Sequence, residues 1–279
     1  MSVLVLLIVG GVAGLLMVRR GPAWGLESFV CRWYAGLSLC AVVALAVGSF
    51  SLAALQLLMF VLAGAAIGYE VWAWRCRGEA SGFPALSGAR LSVFEWCCLG
   101  AIVAGNGIAL VSALAPNTNW DAGMEHLALP WDYVNAGRIS FLEGNVHSGH
   151  PHLLHALYTY AYLQGGEVAV GLTNWVFGPL ACLAVLALGR RIEGRTCGLI
   201  AAALLATSPI YFDQVGTVSL DVAFAGIAMA AVLCVLAWSA EGEVHWLWLA
   251  GLFGGMSFGM RDTGLLVCVL CATGVLVNG

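Results

Sequence analysis

The chain of 279 residues is a succession of apolar runs, many close to the roughly 20 residues needed to cross the hydrocarbon core of a bilayer. Such runs restrict the fold more than any motif does. Backbone amides in lipid must find partners within their own segment or in a closed barrel, and runs of this length are helices. Hydrophobic residues make up 61% of the chain and charged residues 9%, with a mean hydropathy of +0.93, far beyond the needs of a soluble core. The expected fold is all-α: a polytopic transmembrane helical bundle of about nine spans, with a large extracytoplasmic loop carrying short interfacial helices. The spans are placed at residues 3–18, 35–50, 52–74, 93–115, 168–189, 196–212, 217–238, 246–260 and 263–278. The stretch PHLLHALYTYAYLQ at 151–164 is too short and too rich in histidine and tyrosine for a span. It is expected at the interface, or as a partly embedded helix leading into the next crossing.

Every positive charge is an arginine, and their placement orients the chain. Arg19, Arg20, Arg32, Arg75, Arg77, Arg90, Arg190, Arg191 and Arg195 fall in loops of one parity, leaving Arg138 and Arg261 on the other. Positive loops stay cytoplasmic, which puts the N-terminus outside, the C-terminus inside and residues 116–152 on the extracytoplasmic face. The first twenty residues carry their arginines after the apolar run, as a first membrane helix does and a cleaved signal peptide does not. A net charge of −4 with no basic tract gives no sign of a nucleic-acid partner. Most of the ten cysteines lie in apolar segments as small hydrophobes, so no disulfide framework or zinc knuckle is expected. The glycines of GLIAAALLAT and LAGLFGGMSFG are read as close helix packing, with no claim on substrate.

Between the apolar runs lies one polar island, residues 116–152, PNTNWDAGMEHLALPWDYVNAGRISFLEGNVHSGHPH. Five of the six histidines fall in or beside it (His126, His147, His150, His152 and His155), with Asp121, Glu125, Asp132 and Glu143. Asp121 follows Trp120 just past the outer end of a span, where a carboxylate can act as a base. It could equally cap a short helix, with Glu125 and His126 one turn later. His147, His150, His152 and His155 are spaced closely enough to suggest a metal, although their spacing matches no defined zinc motif. The competing reading is ordinary polar lining. No cofactor is named by the sequence, and a divalent metal stays open.

Two later residues join the island by sidedness. Asp221 begins the 217–238 span, and an acid so close to lipid is costly unless it faces a cavity or a partner. Arg261 ends the 246–260 span on the outer side, where a guanidinium can hold a phosphate bidentately. Its alternative is an internal ion pair with Asp262 or Asp221.

From Trp120 to about Leu266 the order of motifs resembles the membrane glycosyltransferases of the GT-C superfamily. The nearest branch is that of the dolichyl-phosphate-mannose protein mannosyltransferases and the aminoarabinose transferases. The matching residues are W-D followed by E-H-L (Trp120, Asp121, Glu125, His126, Leu127), and G-H-P followed by leucines (Gly149, His150, Pro151, Leu153, Leu154). L-G-R-R-I-E-G-R then precedes an alanine-rich helix ending T-S-P (Arg190 to Pro209), and L-D at Asp221 precedes L-A-G-L-F-G-G-M-S-F-G-M-R-D-T-G. Arg261 departs from the pattern, standing where relatives usually carry lysine. Relatives also continue beyond the equivalent of Gly279. Residues 1–92 are therefore expected to be N-terminal transmembrane helices additional to the shared core, and 93–279 a GT-C-like core that is incomplete at its C-terminus.

The resemblance implies transfer of a sugar from a polyprenyl-phosphate carrier to an acceptor glycan, lipid or protein on the extracytoplasmic side. Asp121 would be the base, and Arg261 would bind the carrier phosphate. Asp221, Glu125, His126 and His150 would line the pocket, with Arg138 as a second phosphate contact. Two other classes remain: a transporter or lipid-binding membrane protein using Asp221 and the histidines, and a truncated, non-catalytic relative acting as an assembly partner.

Overall fold

The computed structural model describes residues 2–17, 25–77 and 90–278. It is an all-α membrane bundle, and its helices follow the apolar runs. The order is α1 (Ser2–Met17), α2 (Leu26–Gly48), α3 (Leu52–Arg77), α4 (Val93–Ala113), α5 (Ala128–Ala136), α6 (Leu153–Glu193), α7 (Arg195–Ala206), α8 (Pro209–Gly216), α9 (Asp221–Glu241), α10 (Val244–Met260) and α11 (Gly264–Asn278). Among the described residues, five helices are long and apolar enough to cross a membrane, and a sixth crossing is obtained if α7 and α8 count as one. The other expected spans coincide with α1, α10 and α11, each of 17 residues or fewer.

Three boundaries differ from expectation for identifiable reasons. First, α2 begins nine residues earlier than the expected 35–50 span, because hydropathy breaks at Arg32. Arg32 is not a loop residue: it is buried within α2, where its backbone lies against α1 at Gly14. Second, the 196–212 span is two helices bent by 66° at Thr207 and Ser208. Ser208 caps α8 by accepting from Tyr211 N at 3.3 Å, and Pro209 takes the first helical position, where its missing N–H costs nothing. Third, residues 153–164 form the first arm of α6 and are buried in protein from Leu153 to Ala161. A continuous α6 of 41 residues would run roughly 60 Å, twice the hydrocarbon thickness. It breaks instead at Gly165 and Gly166, the latter at φ 61°, a conformation that favours glycine.

The first arm of α6 does not cross the bundle. His155 lies among the residues of the polar island, while Gly171, after the break, meets the C-terminal end of α4 at Ala113. Both ends of the arm therefore stay at one end of the bundle.

Small residues set the packing, as the absence of a hydrophobic driving force between helices in lipid requires. A Cβ on Gly36 of α2 would lie 1.7 Å from the Gly10 carbonyl oxygen of α1. At the α6–α7 contact, a Cβ on Gly198 would lie 2.4 Å from the Leu186 carbonyl oxygen. Of the LAGLFGGMSFG glycines, Gly259 backs onto Leu153, whereas Gly251 and Gly255 face open space. One polar node lies inside the bundle. Asn106 of α4 accepts from Tyr211 of α8 at 2.6 Å, and its carbonyl accepts from Trp175 of α6 at 2.9 Å. The described cysteines are free thiols, including Cys268 and Cys271, whose C-x-x-C spacing falls within the apolar α11.

Polar groups gather at the two ends of the bundle. At one end Arg195 clasps the buried Glu95 with Nε and Nη2 at 2.8 and 3.0 Å, and Arg191 pairs with Glu241 at 2.9 Å. Arg190 approaches Glu27 at 3.6 Å at the same end. The opposite end carries the polar island, closed over the bundle by backbone bonds from Leu52 N to Gly137 O and from Ile139 N to Gly48 O. Arg190, Arg191 and Arg195 thus lie at the end opposite the polar island, whereas Arg32, expected in a loop with them, lies inside α2.

The packing predicts opposite effects for two glycine-to-alanine changes. Gly198→Ala should lower stability by roughly 1–3 kcal/mol through overpacking at α6–α7. Gly251→Ala, in open space on α10, should be neutral or stabilising by up to about 1 kcal/mol. Thermal unfolding of the detergent-solubilised variants checks this, and equal shifts would contradict it.

Candidate functional site

The island is built from short turns. After α4, Asn119 accepts from the backbone N–H of Asp121 at 2.9 Å and of Ala122 at 3.3 Å, starting the turn Ala122–His126. Asn119, not Asp121, is therefore the capping side chain, and the Asp121 carboxylate is left for other partners. The turn is one residue wider than an α-helical turn, with Leu127 N bonded to Ala122 O at 2.7 Å. A second turn, Val146–Gly149, is started by Asn145, which accepts from His147 N at 3.1 Å. His150 follows in extended backbone, as the residue before a proline should.

These turns bring His126 against His155 of α6, Nδ1 to Nε2, at 3.0 Å. Both imidazoles are buried, His155 completely. Glu125 Oε1 lies 3.7 Å from His155 Nε2 and 3.9 Å from His126 Nδ1, and Glu125 Oε2 lies 3.2 Å from His147 Nδ1. On the outer side of His126, Nε2 is 3.5 Å from the exposed carboxylate of Asp121. Burial pushes the His126 imidazole towards its neutral form. Glu125 and Asp121 pull the other way, Arg261 adds to the push, and Asp221 opposes it.

That field shows how the later helices meet the island. Asp221, at the first position of α9, forms an ion pair with Arg261, which caps α10. Arg261 chooses Asp221 over its neighbour Asp262. Both partners are about half exposed, at 46% and 47%, so their remaining hydrogen-bonding capacity faces solvent. The turn leading into Asp221 is held from below. The Tyr158 hydroxyl of α6 lies 2.7 Å from Ser219 O and 2.8 Å from Asn174 Oδ1, and Asn174 Nδ2 reaches Thr217 O at 2.6 Å.

The structure therefore brings Asp121, Glu125 and His126 together and joins Asp221 to Arg261 as a pair whose charges reach His126; all five were candidates from sequence. His150 stands at the margin, exposed, its ring 6.0 Å from that of His147. Arg138 is exposed on the clamp between α5 and the α2–α3 corner, and no hydrogen bond or ion pair joins it to the cluster. The four-histidine metal set is not assembled as such. His152 turns away, with Nε2 2.5 Å from Ser148 O and its ring against Tyr133. The group that converges is Glu125, His126 and His155.

Several participants were not singled out from sequence. Asn119, Tyr158 and Asn174 act through the backbone of turns, which leaves no periodic signal. A cavity of about 690 Å³ beside the cluster is lined by Met124, Asp132, Glu143, Asn145 and His147 among others. Asp132 and Glu143 stand out in the sequence only as part of the island.

Tyr158→Phe should loosen the turn before Asp221 and lower stability by about 0.6–1.7 kcal/mol, the range for hydrogen bonds between membrane helices. Unfolding in detergent measures it, and an unchanged midpoint would contradict the role given to the hydroxyl.

No curated protein and no solved structure matches the chain. Residues 151–278 match a sequence family described as dolichyl-phosphate-mannose-protein mannosyltransferase. The matched segment holds His155, Asp221 and Arg261, while Asp121, Glu125 and His126 lie before it. The match supports the resemblance carried by the motifs: from residue 151 to residue 278 this chain is similar to the GT-C-type membrane glycosyltransferases.

Proposed function

We propose that the chain transfers a sugar from a polyprenyl-phosphate carrier to an acceptor on the extracytoplasmic face of the membrane. One observation supports this most: Asp121, on the loop after α4, lies beside His126, and the Asp221–Arg261 pair at the ends of α9 and α10 is close enough for its charges to act on the same imidazole. That end places a carboxylate and a guanidinium near the level where a lipid-linked phosphate would lie. In this reading it is the outer end, away from Arg190, Arg191 and Arg195.

In this reading Arg261 receives the carrier phosphate. A half-exposed ion pair contributes only about 0–1 kcal/mol, so a phosphate can share or displace Asp221 without a large loss. The guanidinium has five N–H donors, enough to keep Asp221 on one edge and offer the other. As the sugar leaves, charge grows on the phosphate, and a fixed cation there favours the transition state over the ground state. Asp121 takes the acceptor hydroxyl proton or orients the hydroxyl. Glu125, His126 and His150 line the acceptor side, with Arg138 as a second, outlying phosphate contact. The cavity of about 690 Å³ beside Glu125 and His147 offers room for the acceptor. The gathering of ionisable groups at the two ends, rather than along a path through the bundle, favours this reading over a transporter.

Asp121→Asn should reduce transfer by about 100-fold or more, the scale of general acid–base catalysis, with membrane expression and carrier binding intact. Retained turnover with a polyprenyl-phosphate sugar would remove Asp121 from this role. Arg261→Ala should weaken carrier binding by about 10- to 100-fold, as the loss of a hydrogen bond to a charged group does, and Arg261→Lys should recover part of it. Competition binding with a polyprenyl phosphate measures both, and unchanged affinity in the alanine variant would exclude Arg261 as the phosphate ligand.

A further inference from the structure

Glu125 Oε1, His126 Nδ1 and His155 Nε2 form a triangle with edges of 3.0, 3.7 and 3.9 Å. Ligand atoms at about 2.0–2.1 Å from a tetrahedral ion stand about 3.3 Å apart, so the triangle has the size of a three-ligand metal face. Its chemistry points the same way. Two neutral imidazoles can share a single proton between Nδ1 and Nε2, but a carboxylate oxygen aimed at the same point then has no donor. Three acceptors converging at a site with two buried imidazoles call for a cation.

The local backbone explains how this arises. Glu125 and His126 are adjacent, and on a regular α-helix their side chains would diverge. The widened turn Ala122–His126 directs both to one spot, and the first turn of α6 supplies His155 from 29 residues away. The surrounding groups are those that orient metal ligands. Asp121 Oδ2 stands 3.5 Å from Nε2 of His126, the nitrogen left over when Nδ1 binds, and His147 Nδ1 stands 3.2 Å from the second oxygen of Glu125.

We propose that Glu125, His126 and His155 bind one divalent transition-metal ion, with Zn²⁺ favoured by the two-imidazole, one-carboxylate donor set. Three protein ligands leave a fourth position open. The ion ties the island to α6. The assignment rests on the donor geometry alone and holds whether or not the chain transfers a sugar.

The test uses the full chain purified in detergent, stripped with chelator and titrated with Co²⁺, whose visible bands report nitrogen and oxygen coordination. The wild type should take up one Co²⁺ per chain, with Zn²⁺ displacing it, and His150→Ala should behave as wild type. Glu125→Gln, close in shape to the native side chain, should bind distinctly more weakly. His126→Ala/His155→Ala should not bind at all, with helicity and gel-filtration profile showing that it is folded. Asp121→Asn, through loss of orientation, should weaken binding by about 10- to 100-fold. A wild-type chain that takes up no Co²⁺ overturns the proposal. So does a Glu125→Gln chain that binds as tightly as wild type, a result that stands even if the double variant misfolds. None of these readouts uses a transfer assay, so they are independent of the proposed activity.

Discussion

The contact between His126 and His155 decides what the island end of this molecule can be. It draws the loop after α4 onto the first arm of α6, and it brings the exposed carboxylate of Asp121 to 3.5 Å from the His126 ring. A buried pair of imidazoles facing each other at 3.0 Å is tolerable only if a proton or a metal lies between them, so the contact is itself a chemical statement. The wide turn at Ala122–His126, the Asn119 cap and the buried arm of α6 all serve to produce it.

The rest of the fold supplies a rigid frame with two unlike ends. Close glycine crossings lock α1 to α2 and α6 to α7, and the Asn106 node joins α4, α6 and α8. At the arginine end, cations pair with Glu95, Glu241 and Glu27. Those pairs stitch helix termini together. At the other end the Asp221–Arg261 bridge has both partners about half exposed, and exposed charge is what a lipid-linked phosphate can use. The same residue type is therefore structural at one end and available at the other, and burial makes the difference.

Hydropathy made the all-α bundle legible, because it follows from the cost of polar groups in lipid. Hydropathy could not see where a helix continues through a buried arginine, as α2 does at Arg32, or where one run contains two helices, as at Ser208 and Pro209. The stretch 151–164 was recognised as non-spanning from its length, but its burial depends on packing with distant helices. In the site, Asp121, Asp221 and Arg261 were legible because charge beside lipid stands out. The union of His155 with Glu125 and His126 was not, since it joins residues 29 apart through a turn of irregular width. Close histidine spacing pointed to His147, His150, His152 and His155, of which His155 joins the cluster and His152 is occupied by a backbone carbonyl.

The central claim is that residues from the loop after α4 and from the ends of α9 and α10 form one site for a phosphate-linked sugar. Photo-crosslinking with a polyprenyl-phosphate sugar that carries a diazirine next to the phosphate, followed by peptide mapping, tests it most directly. The account predicts labelled peptides containing Asp121, Asp221 and Arg261, with labelling competed by unmodified carrier. Labelling confined to the end that holds Arg190, Arg191 and Arg195, or spread evenly over the lipid-facing helices, would contradict it.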